Sequence, residues 1–118
     1  MASNTTITAG FVAPAVVGLS SSGTIAVDAT QGNDFRVNLS GDATLANPTG
    51  AVDGQRITFH ITQSSGGSNT VTWGSAYSFG SAGGPPKLST TGSLTDVIGF
   101  IYNAAVGAWL CVGSATGF

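Results

Sequence analysis

Charge is the first thing this sequence lacks. Lys, Arg and Asp together make up 7% of 118 residues, where an ordinary soluble domain carries about 25%. Glu is absent. The acids are Asp28, Asp34, Asp42, Asp53 and Asp96, and the bases are Arg36, Arg56 and Lys87. A phosphate-binding surface needs clustered Lys and Arg to displace condensed counterions, so three dispersed bases argue against nucleic acid as a partner. Disorder is disfavoured too, because 42% of the residues are hydrophobic and the formal net charge is only −2. Ser, Thr, Asn and Gly must solvate such a surface. Weak repulsion between copies leads us to expect that other subunits cover much of it.

Histidine and cysteine are scarce as well, with one residue of each. A zinc site takes three or four His, Cys or carboxylate ligands, which this chain is poorly equipped to supply. A hydrolytic triad needs an imidazole base. His60 is the only candidate, and no G-x-S-x-G turn accompanies it. Nothing in the sequence pairs two carboxylates as a glycosidase requires. The Asp residues of "SGDAT" and "AVDGQ" sit in turn contexts, where Asp accepts local backbone hydrogen bonds. The glycine-rich stretches lack the Lys of a phosphate-binding loop. The expected reading is no enzyme and no cofactor. Cys111, in "AWLCV", reads as a buried free thiol. "FVAPAVVGL" has no basic segment before it and is too short to span a bilayer, so no membrane partner is expected.

What the sequence does have is strands and turns. Residues 1–22 read as an extended N-terminal arm, polar at first and then apolar. Pro14 disfavours both a helix and a central strand there. Its apolar residues Phe11, Val12, Val16, Val17 and Leu19 want a groove, on their own domain or on a neighbour. From Gly23 to Phe118 the chain reads as a second unit of seven or eight short strands. "RITFHITQ" is the clearest of them. Alternation puts Ile57, Phe59 and Ile61 on one face and Arg56, Thr58, His60 and Thr62 on the other. "TVTWG" alternates again after the Ser/Gly loop. In "LTDVIGFIYNAAVGAWLCVG", β-branched and aromatic residues with interior glycines favour a hairpin over a helix. Its strands are predicted at Val97–Tyr102 and Trp109–Val112, with the turn between. No repeat of fixed long period is evident. The expected fold is all-β, a compact antiparallel β-sandwich or barrel of short strands with the arm attached. Trp73, Tyr77, Phe79, Tyr102 and Trp109 suit either a core or a platform for sugar rings.

The segments "NPTGAVDGQRITF", "TVTWGSAYSFG" and "DVIGFIYNAAVGAWLCV" together resemble a domain of tailed-bacteriophage virion proteins. The resemblance covers roughly residues 28–113. It implies an all-β virion module, trimeric and without enzymatic activity. The short arm and the absence of a shaft sequence fit a head decoration protein better than a long fibre. The expectation is then a homotrimer bound to the major capsid protein on the capsid surface, made in the host bacterial cytoplasm. Its arm residues Phe11, Val12, Pro14, Val16, Val17 and Leu19 would make the attachment. A tail-fibre or tail-tip module binding a host glycan is the alternative.

Overall fold

The computed structural model describes residues 15–81 and 83–118. All regular elements among them are strands: β1 (Val16–Gly18), β2 (Gly23–Ile25), β3 (Asp34–Leu39), β4 (Ala43–Leu45), β5 (Arg56–Gln63), β6 (Val71–Trp73), β7 (Tyr77–Ser78), β8 (Thr95–Asn103) and β9 (Ala108–Ala115). The all-β expectation holds. The antiparallel one does not, because five of the seven strand pairings are parallel.

The reason lies in how the chain travels. Strands β1, β3 and β5 lie side by side in the larger sheet, of order β1-β3-β5-β8-β9-β7. Strands β2, β4 and β6 form the smaller one. The chain alternates between the sheets, so each circuit adds one strand to both, and successive circuits run the same way. A parallel pair needs a long crossover, and here the strand in the opposite sheet is that crossover. The result is a three-rung coil with a repeat of about 20 residues. The repeat missing from the sequence reading is therefore present. "VVGLSSSGTI", "DFRVNLSGDATL" and "TFHITQSSGGSNTVTW" occupy equivalent places. Its third copy is stretched by a longer loop, which masks the period.

Stacked equivalents build the core. Val17 lies opposite Phe35 and Phe35 opposite Phe59. In the other sheet Ile25, Leu45 and Trp73 are in register. Turn residues stack as well: Ser40 Oγ contacts Ser21 Oγ at 2.9 Å, and Asp42 Oδ1 accepts from Thr70 N at 2.8 Å. A third, shorter side of the coil carries the Asp28–Thr49 bridge.

The C-terminal third is built differently. β8 pairs antiparallel with β5, and β9 folds back on β8. This is the predicted hairpin. Asn103 Oδ1 accepts from Ala105 N at 3.0 Å and Val106 N at 3.2 Å, and Gly107 takes the left-handed φ of 75° that closes the turn. A bulge after Gly99 leaves Val112 as the extra residue. Phe59 joins the two regions. Its ring meets Phe35, Trp73, Tyr77 and Phe100 at centroid distances of 5.7–5.8 Å.

The strand facing deduced for residues 56–62 is the observed one. Ile57, Phe59 and Ile61 are buried, while His60 lies on the outer side of the sheet. Cys111 corrects another expectation. It is half-buried rather than enclosed, because the bulge and the end of the hairpin leave its sulfur near the surface.

Candidate functional site

Two surfaces stand out, one on each region. The first is a groove of about 680 Å³ beside β6. One wall is β6, the last strand of the smaller sheet, and the other is the segment from Pro85 to Thr90. Trp73, Tyr77, Phe79 and Leu88 make it predominantly apolar. The sequence supplied the aromatic part of this lining; here Trp73, Tyr77 and Phe79 meet within one cluster. Tyr102 and Trp109 do not join them and form their own pair at 5.0 Å.

The aromatic rings are held by one another. Trp73 makes four ring contacts, with Phe59, Tyr77, Phe79 and Phe100. Tyr77 is buried, and its hydroxyl donates to Ala46 O at 2.8 Å. Burial pushes its phenol well above the ordinary value. These rings line the groove as a packed wall, not as a free-standing platform.

The walls are fixed by buried polar residues that sequence reasoning overlooked. Gln63 is 4% exposed, and its Nε2 donates to Asn69 O at 2.7 Å and Ser89 O at 3.0 Å. Its Oε1 accepts from Asn69 N at 3.1 Å. One side chain thus ties the approach to β6 to the opposite wall. Asp96, 2% exposed, accepts from Ser89 N, Ser89 Oγ and Gly117 N at 2.6, 2.7 and 2.9 Å. The signal for both was available. Alternation places Gln63 on the face of Phe59, and Asp96 on the face of Ile98 and Phe100. A polar residue on an apolar face must find partners.

The backbone along β6 adds a second property. Ala43 N donates to Thr70 O, and Gly74 N donates to Leu45 O, each at 2.9 Å. Alternate residues of a parallel strand face opposite edges. Val71 and Trp73 therefore turn their N–H and C=O groups away from β4, toward the groove. No partner for these groups occurs among the described residues.

The second surface is the outer face of the β8–β9 hairpin. Val97, Ile101 and Leu110 point away from the core and are half-buried, and Val112 is 62% exposed. Gly99 leaves room for Val112 to lie across the sheet. This face carries four aliphatic side chains and no charge. Beside it on the outer side of β3 and β5, Arg36 Nε contacts Asp34 Oδ1 at 3.1 Å, and His60 Nε2 contacts Asp34 Oδ2 at 3.4 Å. Arg36 holds the Asp34 carboxyl below its usual range, partial burial opposes this, and His60 adds to the lowering.

The expected attachment residues divide. Phe11, Val12 and Pro14 lie outside the described residues. Val17 and Leu19 pack against the core from the first rung, and Leu19 N donates to Arg36 O at 2.8 Å. Val16 faces outward, 57% exposed. The segment from Val16 to Leu19 is thus built into the coil, ahead of the Gly23 boundary drawn from the sequence. Among the described residues no group of three His, Cys, Asp or Glu side chains is placed to hold a metal ion. No family model matches the chain, and no curated protein and no solved structure matches it either.

Proposed function

We propose that the chain is a decoration protein of a tailed-bacteriophage head, a homotrimer that binds the major capsid protein and stabilises the assembled shell. It acts by binding and carries no catalytic machinery. Its body is compact and strand-rich, with two sheets paired largely in parallel where an antiparallel sandwich or barrel was expected. The observation that carries the reading is the uncharged aliphatic face of Val97, Ile101, Leu110 and Val112 on the β8–β9 hairpin. Contiguous apolar surface of this kind marks association sites, and the scarcity of charge suits a body whose surfaces are shared. A ligand that binds only the assembled shell stabilises it by mass action. Antibody labelling of the particles by electron microscopy tests this. Label on the head supports it, and label confined to the tail or absent from particles rejects it. Light scattering of the purified chain is expected to give three chain masses.

The aromatic groove beside β6 favours a second reading, a tail-fibre or tail-tip module that binds a neutral host glycan. That reading requires saturable sugar binding that perturbs Trp73 fluorescence.

A further inference from the structure

We infer that the groove beside β6 is a strand-addition site, and that its occupant is the N-terminal segment of a second copy of this chain, centred on Phe11–Ala13. The inference does not depend on the particle to which the protein belongs.

Three observations lead to it. The first is the β6 edge itself. Val71 and Trp73 present two N–H donors and two C=O acceptors to the groove, in the spacing of a sheet edge. Such an edge takes an extended backbone, whose main-chain hydrogen bonds supply affinity while side-chain pockets supply selectivity. The second is the preformed space. Gln63 and Asp96 hold the Pro85–Thr90 wall away from β6, and glycines let the loops close behind it. Gly67 packs on Thr90 O, and Gly92 on Ser65 O. Pro85 and Pro86 have no N–H, so at those positions the far wall offers the edge no backbone donor. The third is chemical match. Lys87 is the only charged residue in the lining, which suits an uncharged apolar occupant.

The chain carries such an occupant. Fourteen residues precede the first described one, and none of them is charged. Within them "ITAGFVA" alternates enough to place Phe11 and Ala13 on the apolar floor with Val12 facing out. Pro14, which cannot donate to a ladder, marks the limit of the pairing. At about 3.3 Å per residue the segment reaches roughly 45 Å. It enters at β1, on the first rung, whereas the groove borders the third. Donor and acceptor therefore sit at opposite ends of the stack. This arrangement passes a strand head to tail, and it forms a ring when the rotation closes.

A sugar is the less favoured occupant. The Trp73 and Tyr77 rings are engaged in edge-on and tilted contacts with other aromatics. The Asn69 side-chain amide already donates to Leu39 O and Ser64 Oγ.

The test uses full-length chains in the Cys111→Ser background. One chain carries Thr72→Cys and the other Val12→Cys. Cross-strand neighbours lie about 4.5–5.5 Å apart at Cβ, within reach of a disulfide. Mixing the two chains under oxidising conditions is expected to give a mixed-chain dimer on a gel, and an excess of synthetic peptide covering residues 5–14 is expected to suppress it. Moving the arm cysteine to residue 11 or 13 corrects for register. Phe11→Asp in the unmodified chain leaves the fold intact by circular dichroism and raises the concentration for half-dissociation by about tenfold or more, or about 1.4 kcal/mol. Absence of the mixed species in all three registers overturns the inference. So does a disulfide that forms only within a chain carrying both cysteines. A neutral oligosaccharide that shifts the Trp73 indole signal while the arm peptide does not overturns it in favour of the glycan reading. Labelling of the tail in the particle experiment would leave this result unaffected, so the two proposals fail separately.

Discussion

The coil of β1–β6 and the hairpin of β8–β9 solve the same problem by opposite means. Each must bury one face of short strands. The hairpin does so locally: its partners are joined by one turn, and Asn103 and Gly107 define that turn. The coil does so at a distance: Phe35 meets Phe59 only after the chain has visited the other sheet. Local pairing needs little loop closure, whereas non-local pairing must close a loop before any contact rewards it. The coil therefore relies on what its rungs share, which is aligned apolar residues and stacked turns. The parallel part is therefore the less independent of the two, and its last rung is held by the hairpin at β5.

Phe59 belongs to both regions, so its loss has the largest expected effect. Phe59→Ala is expected to cost about 3–5 kcal/mol. That is a large part of the roughly 5–15 kcal/mol that holds a domain together, so a lowered midpoint in chemical denaturation, or no folded protein, is the outcome. Asp96→Asn comes next. It replaces one acceptor oxygen by an NH₂ facing donors from Ser89 and Gly117, at a cost of about 1–3 kcal/mol. Hydrogen exchange should show the loss concentrated in β8, the Pro85–Thr90 wall and the C-terminal strand. Asn103→Ala acts on the hairpin turn alone. It removes two turn hydrogen bonds, each worth about 0.5–1.5 kcal/mol net. Exchange protection should fall in the hairpin and stay unchanged in β2 and β4.

His60→Gln is the smallest. Its ring lies on the outer face, and thermal melts at neutral pH are expected to match the parent. A severe defect there with mild ones at Phe59 would invert the facing of β5. The same face carries a pH dependence. The Asp34 carboxyl is held below its usual value, so its contribution is present above about pH 4 and is lost as pH falls through the lowered value. Asp34→Asn should remove that part of the acid limb in melts between neutral pH and pH 3. The variant and the parent should converge at the acid end.

The same contrast explains what the sequence made legible. Alternation in "RITFHITQ" is a property of eight consecutive residues, so the burial of Ile57, Phe59 and Ile61 could be read directly. The hairpin was legible because its turn residues lie between its strands. Parallel pairing leaves no mark between neighbours in sequence. It shows only when "VVGLSSSGTI" is laid beside "DFRVNLSGDATL", and the extra residues of "QSSGGSN" push the third rung further out of phase. The groove was half visible. Its aromatics stand out, but the free edge of β6 exists only once β4 is known to be its sole partner among the described residues.

The shared rungs also make length an adjustable property. Each rung touches chiefly the rung before and the rung after, so stability in such stacks grows as a sum of rung and neighbour terms. Duplicating the second circuit, residues 34–57, would set a new Phe35-like ring over the old one and a new Leu45-like side chain between Ile25 and Leu45. The hairpin would still close the far side, and the β6 groove would be carried outward by one strand spacing, about 4.8 Å. A lineage could therefore change the reach of this protein by whole rungs, with the groove and the outer hairpin face unaltered.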